Sequence, residues 1–238
     1  AEASQLHVVE PVPERRAELA ASRPGLSVGD APVGGVDAVL AVTPDVVPAV
    51  VPTLAEAAPP RVLSIAAGVR CDAIEAGLPV GTAVVRSMPN TPALVGQGAA
   101  AVAAGVAAGD DDLRWAAGVL AAVGTVVTVD ESDLDAVTGL SGSGPAYVFL
   151  LAEALTAAGV ARGLEPSVAD ALTRQTLLGA ATLLAESGED PAVLRANVTS
   201  PGGTTAAGLA VFADGDLMGL VAAVVAAATA RSVELGGG

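Results

Sequence analysis

The first half of the chain alternates short apolar runs with helical stretches, and this rhythm constrains the fold more than any other feature. Apolar runs rich in β-branched residues occupy residues 6–10, 36–42 and 62–66, and helical patterns occupy residues 13–21 and 45–57. Apolar strands joined by helices form a parallel sheet that is covered on both faces. Because ligands of such sheets lie beyond the carboxyl ends of the strands, we expect a binding site there.

The sheet is predicted to end near residue 130. Two more strand-like segments, residues 99–104 and 125–129, bracket a helix over residues 110–123 that opens with three aspartates. The acidic residues 130–133 follow and mark a boundary. Residues 1–131 are therefore predicted to form an α/β domain with a Rossmann-like parallel sheet.

The remainder of the chain shows only helical periodicity. The helical stretches cover residues 135–140, 145–159, 166–186, 191–197, 204–212 and 216–233. Residues 132–238 are therefore predicted to form a second, all-helical domain, and the fold class is α/β plus all-α.

The interior must be built from alanine, valine and leucine, because 52% of the residues are hydrophobic but only 2% are aromatic. Alanine-rich faces at residues 148–158 and 177–184 allow helices to pack closely, within the chain or against a second subunit. A membrane-spanning helix needs about 20 apolar residues. The nearest candidate, residues 217–230, is shorter, so we expect no membrane partner.

The charge of the chain limits its partners. A formal net charge of −15, from 11 basic and 26 acidic residues, argues against nucleic acid or anionic lipid as a partner.

Cys71 is the single cysteine, so no disulfide can form within the chain, and this fits a reducing compartment. Residues 1–5 lack the basic and apolar regions of a signal peptide, so we expect a cytoplasmic protein.

Few side chains are suited to catalysis. His7 lies within or beside a strand, where a core or surface role is favoured, and Cys71 has no nearby histidine to activate it. The sequence shows no cluster of metal ligands, so no metal site is predicted. An enzyme with these residues would leave the difficult chemical step to an organic cofactor.

The most distinctive loop is residues 198–205, where small hydroxyl residues and glycines precede a helix. Pro201 stops the incoming helix, Gly202 and Gly203 let the backbone approach a ligand, and Thr204 and Thr205 could cap the next helix. Free N–H groups in a first helical turn would hold a carboxylate or phosphate. An ordinary capped loop is the alternative interpretation.

Four motifs give the chain a resemblance to a known family. They are DAVTGLSGSGPAY at residues 135–147, RSMPNTP at residues 86–92, IAAG at residues 65–68 and SPGGTT at residues 200–205. With these motifs the chain resembles the pyrroline-5-carboxylate reductases nearly from end to end. The resemblance implies reduction of 1-pyrroline-5-carboxylate to L-proline with NADPH or NADH, by a homodimer or a higher oligomer of dimers.

The resemblance also implies where the ligands bind. The cofactor is expected at the strand ends, at the domain boundary and at the end of one helix. The implied cofactor-binding residues are Glu10, Ala41, Val42, Thr43, Pro44, Ile65, Ala66, Ala67, Asn90, Glu131 and Asn197. The implied substrate-binding residues are Ser200, Gly202, Gly203, Thr204 and Thr205. Thr205 is the implied catalytic residue, with its hydroxyl hydrogen-bonded to the ring nitrogen of the substrate.

Two features depart from the family pattern. Neither the family's first strand nor its Gly-rich turn of the type G-x-G-x-x-G precedes residues 6–10, so the Rossmann-like domain is expected to be incomplete at its N-terminal end. We therefore expect the chain to fold through its helical domain but to bind dinucleotide weakly. Thr43 stands where the family more often has lysine. Glu10 would accept a hydrogen bond from a ribose 2′-hydroxyl and favour NADH, whereas Arg15 or Arg16 could instead bind a 2′-phosphate, and this choice stays open.

Two other functions are compatible with parts of the pattern. A β-hydroxyacid dehydrogenase would need a lysine in the helical domain, and the sequence has none there. A non-catalytic dimer that has lost its cofactor phosphate loop remains an alternative.

Overall fold

The computed structural model describes residues 3–236, so the outer ends of the two predicted domains, residues 1–2 and 237–238, lie outside the described residues. The chain forms two compact units. One consists of Ala1–Gly142 with Thr229–Gly238, and the other is Ser143–Ala228. The predicted division between residues 131 and 132, placed where the sheet was expected to end, stays a prediction.

The first unit contains all the strands of the described chain, in two sheets. The strands are β1 (His7–Val9), β2 (Ser27–Gly29), β3 (Ala38–Leu40), β4 (Arg61–Ser64), β5 (Ala83–Met88), β6 (Gly98–Ala104) and β7 (Gly124–Thr128). β1 and β2 form a parallel pair, and β3 to β7 form a five-stranded sheet in chain order. A Rossmann-like sheet is therefore confirmed.

One strand departs from the predicted parallel arrangement. β6 runs antiparallel to β5, with Val85 paired to Ala104 and Met88 paired to Ala101. Only residues 89–97, with a 3₁₀ turn at Thr91–Val95, join the two strands. A parallel neighbour would need a crossover of about a dozen residues or more. The short connection therefore makes the sheet mixed.

Helices cover both faces of the larger sheet. The helices of this unit are α1 (Pro13–Ser22), α2 (Val47–Ala57), α3 (Cys71–Glu75), α4 (Asp110–Leu120) and α5 (Leu134–Val137). On one face, Val62 and Val84 of the sheet belong to a core with Leu54 of α2 and Ile74 of α3. On the other face, Leu63, Val85 and Val102 pack with Ala116 of α4. Each fully buried Val or Leu contributes about 1.5–3 kcal/mol to folding.

The remaining helices follow the predicted pattern closely. They are α6 (Gly144–Ala161), α7 (Pro166–Ser187), α8 (Pro191–Asn197), α9 (Thr204–Asp214) and α10 (Leu217–Gly236). α6, α7 and α8 each begin with a proline in the first turn, where the missing N–H costs nothing because that group has no partner within a helix. The last part of α10, from Thr229, belongs to the first unit.

Large apolar side chains of these helices are exposed in the single chain. Leu150 of α6 is 65% exposed, and Leu178 of α7 is 62% exposed, each within one of the alanine-rich faces noted in the sequence. α6 has no buried residue at all among its described positions. Exposed apolar faces of this extent mark an interaction surface.

α10 is longer than the apolar run predicted there. Its 20 residues and the helical run Glu131–Ala161 are both long and apolar enough to cross a membrane. The prediction that the helix at residues 217–230 is too short to span a membrane is therefore wrong, because the helix continues to Gly236. The absence of a membrane partner stays a prediction.

Candidate active site

Three of the predicted cofactor segments lie together at one edge of the larger sheet. Leu40 of β3 is aligned with Ser64 of β4, and Ser64 is aligned with Arg86 of β5. The parallel strands therefore end side by side, and the Ile65 N–H donates to the Leu40 carbonyl at 3.0 Å. Ala41–Pro44 follow β3, Ile65–Ala67 follow β4, and Pro89 and Asn90 follow β5. Their roles in cofactor binding stay predictions.

The turn after β4 has a backbone that favours glycine. Gly68 is buried and has a φ of +77°, in the left-handed region. A Cβ there would lie 3.5 Å from the Gly236 nitrogen, so the end of α10 packs against this turn. Ala67, one residue earlier, is exposed. The turn is therefore supported by α10 at Gly68 and accessible at Ala67.

Asn90 connects three elements through its side chain. Its Oδ1 accepts a hydrogen bond from the Ala99 N–H at 2.8 Å, and its Nδ2 donates to the Ser141 carbonyl at 3.0 Å. Asn90 thus joins the end of β5 to the start of β6 and to a π-helix at Thr138–Gly142. The side chain has a structural function in addition to any contact with a cofactor.

The glycine- and serine-rich segment after α5 contains that π-helix. The Ser141 hydroxyl donates to the Val137 carbonyl at 3.1 Å, and the Thr138 hydroxyl donates to the Leu134 carbonyl at 2.8 Å. A Cβ at Gly142 would lie 2.5 Å from the Met88 side chain, so only glycine fits without a shift. Short π-helices are frequent at functional sites.

Glu131 binds partners inside the first unit. Its Oε1 accepts from the Cys71 N–H at 2.7 Å and lies 3.4 Å from Nη1 of Arg86, a residue that is 3% exposed. Burial and then the Glu131 charge raise the pKa of the Cys71 thiol to about 12. The thiol is therefore a poor nucleophile near neutral pH. The expected contact of Glu131 with the dinucleotide stays a prediction.

Arg86 begins the RSMPNTP motif, but its ion pair with Glu131 was not predicted from the sequence. An arginine inside an apolar strand must have an acidic partner if it is buried, and this signal is visible in the sequence. The partner, Glu131, is distant along the chain and could not be assigned from local patterns.

Glu10 lies at the carboxyl end of β1, in a turn that leads into α1. Its Oε1 accepts from the Val12 N–H at 2.9 Å. Nη1 of Arg16 donates to the carbonyls of Glu10 and Pro11, at 2.7 and 2.9 Å. The carboxylate and the guanidinium thus both bind the backbone of the same turn.

The predicted substrate loop joins α8 to α9. Asn197 is the last residue of α8, and the Thr199 hydroxyl donates to the Arg195 carbonyl at 2.6 Å. Gly202 has a φ of +70°, and the Gly203 N–H donates to the Ser200 carbonyl at 3.0 Å. These bonds form a tight turn directly before α9.

The start of α9 differs from the prediction that a threonine caps it. Gly203 is the N-cap residue, so Thr204 and Thr205 already lie within the helix, and no side chain in the described chain caps it. The Ala207 N–H donates to the Gly203 carbonyl at 3.1 Å, so the N–H groups before it lie ahead of the helical ladder. The missing cap leaves an exposed cluster of donors at a positive dipole end.

Ser200 lies against this helix start. A Cβ at Gly203 would collide with the Ser200 Oγ, so glycine is needed to keep the hydroxyl there. Ser200, Thr204 and Thr205 are all exposed in the single chain, as is Asn197. The loop lies in the unit Ser143–Ala228, whereas the strand ends lie in the other unit.

The residues predicted to bind ligand at the strand ends and in the loop before α9 include no basic side chain. In the described part of the chain, no three His, Cys, Asp or Glu side chains are grouped so that they could hold a metal ion. The arrangement offers backbone donors, hydroxyls and small strand-end residues. Such groups can bind and orient an anionic substrate and a flat cofactor.

The chain is similar to known proteins over most of its length. A family model described as pyrroline-5-carboxylate reductase dimerisation matches residues 131–235. A pyrroline-5-carboxylate reductase from Synechocystis is 48% identical over 198 residues, covering 83% of this chain and 74% of the relative.

Solved structures give the same result. A pyrroline-5-carboxylate reductase from Coxiella burnetii superposes with a TM-score of 0.90 at 34% identity, covering 96% of this chain and 87% of the other. A Plasmodium falciparum pyrroline carboxylate reductase with NADP bound gives a TM-score of 0.75 at 31% identity, covering 83% and 79%. The chain belongs to the pyrroline-5-carboxylate reductase family.

Proposed function

We propose that this chain reduces 1-pyrroline-5-carboxylate to L-proline, the last step of proline biosynthesis, with NADPH or NADH as the hydride donor. Membership of the reductase family supports the reaction. The observation that carries the proposal is the uncapped start of α9 directly after the Ser200–Gly203 turn. This feature matches the one obligatory charge of the substrate, its carboxylate.

The substrate carboxylate would bind at the N–H groups of Thr204 and Thr205. A helix N-terminus binds an anion through free N–H groups and through the positive end of the dipole. The Ser200 hydroxyl, held beside Gly203, would add a donor. No lysine or arginine is needed.

The Thr205 hydroxyl would hydrogen-bond the ring nitrogen and set the orientation of the imine. When bound, the cofactor supplies the hydride that the imine carbon accepts. The protein then has only to hold the ring in position while the nitrogen is protonated. Neither His7 nor Cys71 is required for this chemistry.

The strand ends fit a dinucleotide by the character of their groups. Ala41 and Thr43 follow β3 and are exposed, Ala67 follows β4 and is exposed, and buried Gly68 keeps the turn tight. Small side chains of this kind let a flat cofactor lie against backbone. Asn90 would lie beside the nicotinamide half.

The working form would be a homodimer formed through residues 131–235, the segment matched by the dimerisation model. The exposed leucines of α6 and α7, such as Leu150 and Leu178, support this because a partner helix would cover them. Dimers would assemble further into a higher oligomer. The protein would act in the cytoplasm, without nucleic acid or membrane partners.

The test compares two substitutions of Thr205. Thr205→Val removes the hydroxyl and is expected to lower kcat by about a hundredfold. Thr205→Ser keeps the hydroxyl and is expected to retain most of the activity. Turnover is followed by NADPH or NADH absorbance, and cofactor dissociation constants are measured separately. Equal losses in turnover and cofactor affinity would contradict the role of Thr205, and a wild-type protein that does not reduce the imine would contradict the function.

A further inference from the structure

The turn after β1 contains a carboxylate that binds the backbone at the start of α1. Glu10 folds back so that its Oε1 accepts from the Val12 N–H at 2.9 Å. Val12 is the N-cap of α1, and Pro13, the next residue, has no N–H. The first two backbone positions at this helix start are thus unavailable to an incoming anion.

The charge of Glu10 is not neutralised by a neighbouring side chain. Within residues 3–236 neither Arg15 nor Arg16 forms an ion pair with it. Arg16 directs Nη1 to the carbonyl oxygens of Glu10 and Pro11 instead. Glu14, in the first turn of α1, adds a second negative charge to the same helix start.

NADH and NADPH differ only by a phosphate on the adenosine ribose. An ionised carboxylate at the end of this strand accepts a hydrogen bond from a ribose 2′-hydroxyl. A 2′-phosphate carries a charge of about −1.5 to −2 at pH 7 and would be repelled. We propose that Glu10 makes this protein bind NADH in preference to NADPH. The inference rests on the proposed function, since it concerns the cofactor of that reaction.

The test measures the dissociation constants of NADH and NADPH by fluorescence titration, without substrate, in the intact protein. We expect NADH to bind at least about tenfold more tightly, and the ratio to fall as salt is added because charge repulsion is screened. Glu10→Gln keeps an oxygen that can accept from the Val12 N–H but removes the charge. It should therefore lower the preference about tenfold while the turn stays folded.

Two further variants provide controls. Glu18→Gln removes the same charge from an exposed position later in α1 and should leave the ratio unchanged. Arg16→Ala tests the competing idea that this arginine binds the 2′-phosphate. A selective loss of NADPH affinity in Arg16→Ala would overturn the proposal.

The other outcomes separate this inference from the proposed function. Equal or tighter binding of NADPH by the wild type, equal effects of Glu10→Gln and Glu18→Gln, or binding of neither nucleotide would each overturn the role of Glu10. Reduction of the imine with NADPH but not with NADH would also overturn the role of Glu10, although the proposed reaction would stand. A preference for NADH in a protein that never reduces the imine would leave Glu10 its role and refute the reaction.

Discussion

The ion pair between Arg86 and Glu131 gives a sharp prediction for stability. Arg86 is 3% exposed in the middle of β5, and its guanidinium lies 3.4 Å from Glu131. Glu131→Ala leaves that cation without its carboxylate, and it also removes the acceptor of the Cys71 N–H. Removing one member of a buried pair costs about 3–5 kcal/mol.

The lower end of that range is expected here. The Glu131 side chain is 19% exposed, so water can reach the cavity left by the substitution and solvate Arg86 in part. We therefore predict a loss of about 3 kcal/mol in the free energy of unfolding. That is a large fraction of a total of about 5–15 kcal/mol.

Urea unfolding at one fixed protein concentration measures this loss, because dimerisation would otherwise shift the midpoint. Glu234→Ala is the matched control, since it removes a carboxylate from an ion pair with Arg231 in which both side chains are 64% exposed. That control is expected to lose only about 0–1 kcal/mol. Equal losses in Glu131→Ala and Glu234→Ala would refute the view that burial makes the Arg86 pair important.

Two further predictions concern Cys71 and the substrate loop. Because the folded pKa of the Cys71 thiol is raised from 9.0 to about 12, the stabilisation of the protonated thiol is fully present below pH 9. This stabilisation should be lost as pH rises from 9 to about 12, by at most about 1.4 kcal/mol per pH unit. The free energy of unfolding of Cys71→Ala should not show this dependence on pH. Gly203→Ala should displace the Ser200 hydroxyl and raise the KM for the imine about tenfold, while the free energy of unfolding changes by less than about 1 kcal/mol. Gly118→Ala, whose added Cβ meets nothing within 4 Å in α4, should leave the KM unchanged, and an equal rise in both variants would contradict the role of Gly203.

Local patterns predicted most elements because their signals lie within the elements themselves. The predicted helix over residues 191–197 coincides with α8, where a proline begins the helix and Asp190 caps it. β2 was missed because Ser27–Gly29 contains a single large apolar residue. The antiparallel direction of β6 depends on the length of its connection, which apolar periodicity does not report.

Contacts between distant parts of the chain were the least predictable part of the site. The strand ends could be placed together because parallel strands share their carboxyl edge, whatever the residues at each end. The two hydrogen bonds of Asn90 depend instead on a turn and a π-helix that no local signal indicated. The uncapped start of α9 was missed for another reason, because a threonine hydroxyl can cap a helix, whereas the chain uses Gly203, which has no side chain to do so.

The packing of the end of α10 on the first unit has a consequence for synthesis. Ser232 donates a hydrogen bond to Asp135 at 2.6 Å, and the backbone at Gly236 lies against Gly68. Ribosomes add about 5–20 residues per second, so residues 143–228 take on the order of ten seconds to make after Gly142. During that interval the nascent first unit has its turn after β4 uncovered. The end of α10 can therefore cover this turn only after the whole helical segment has been translated.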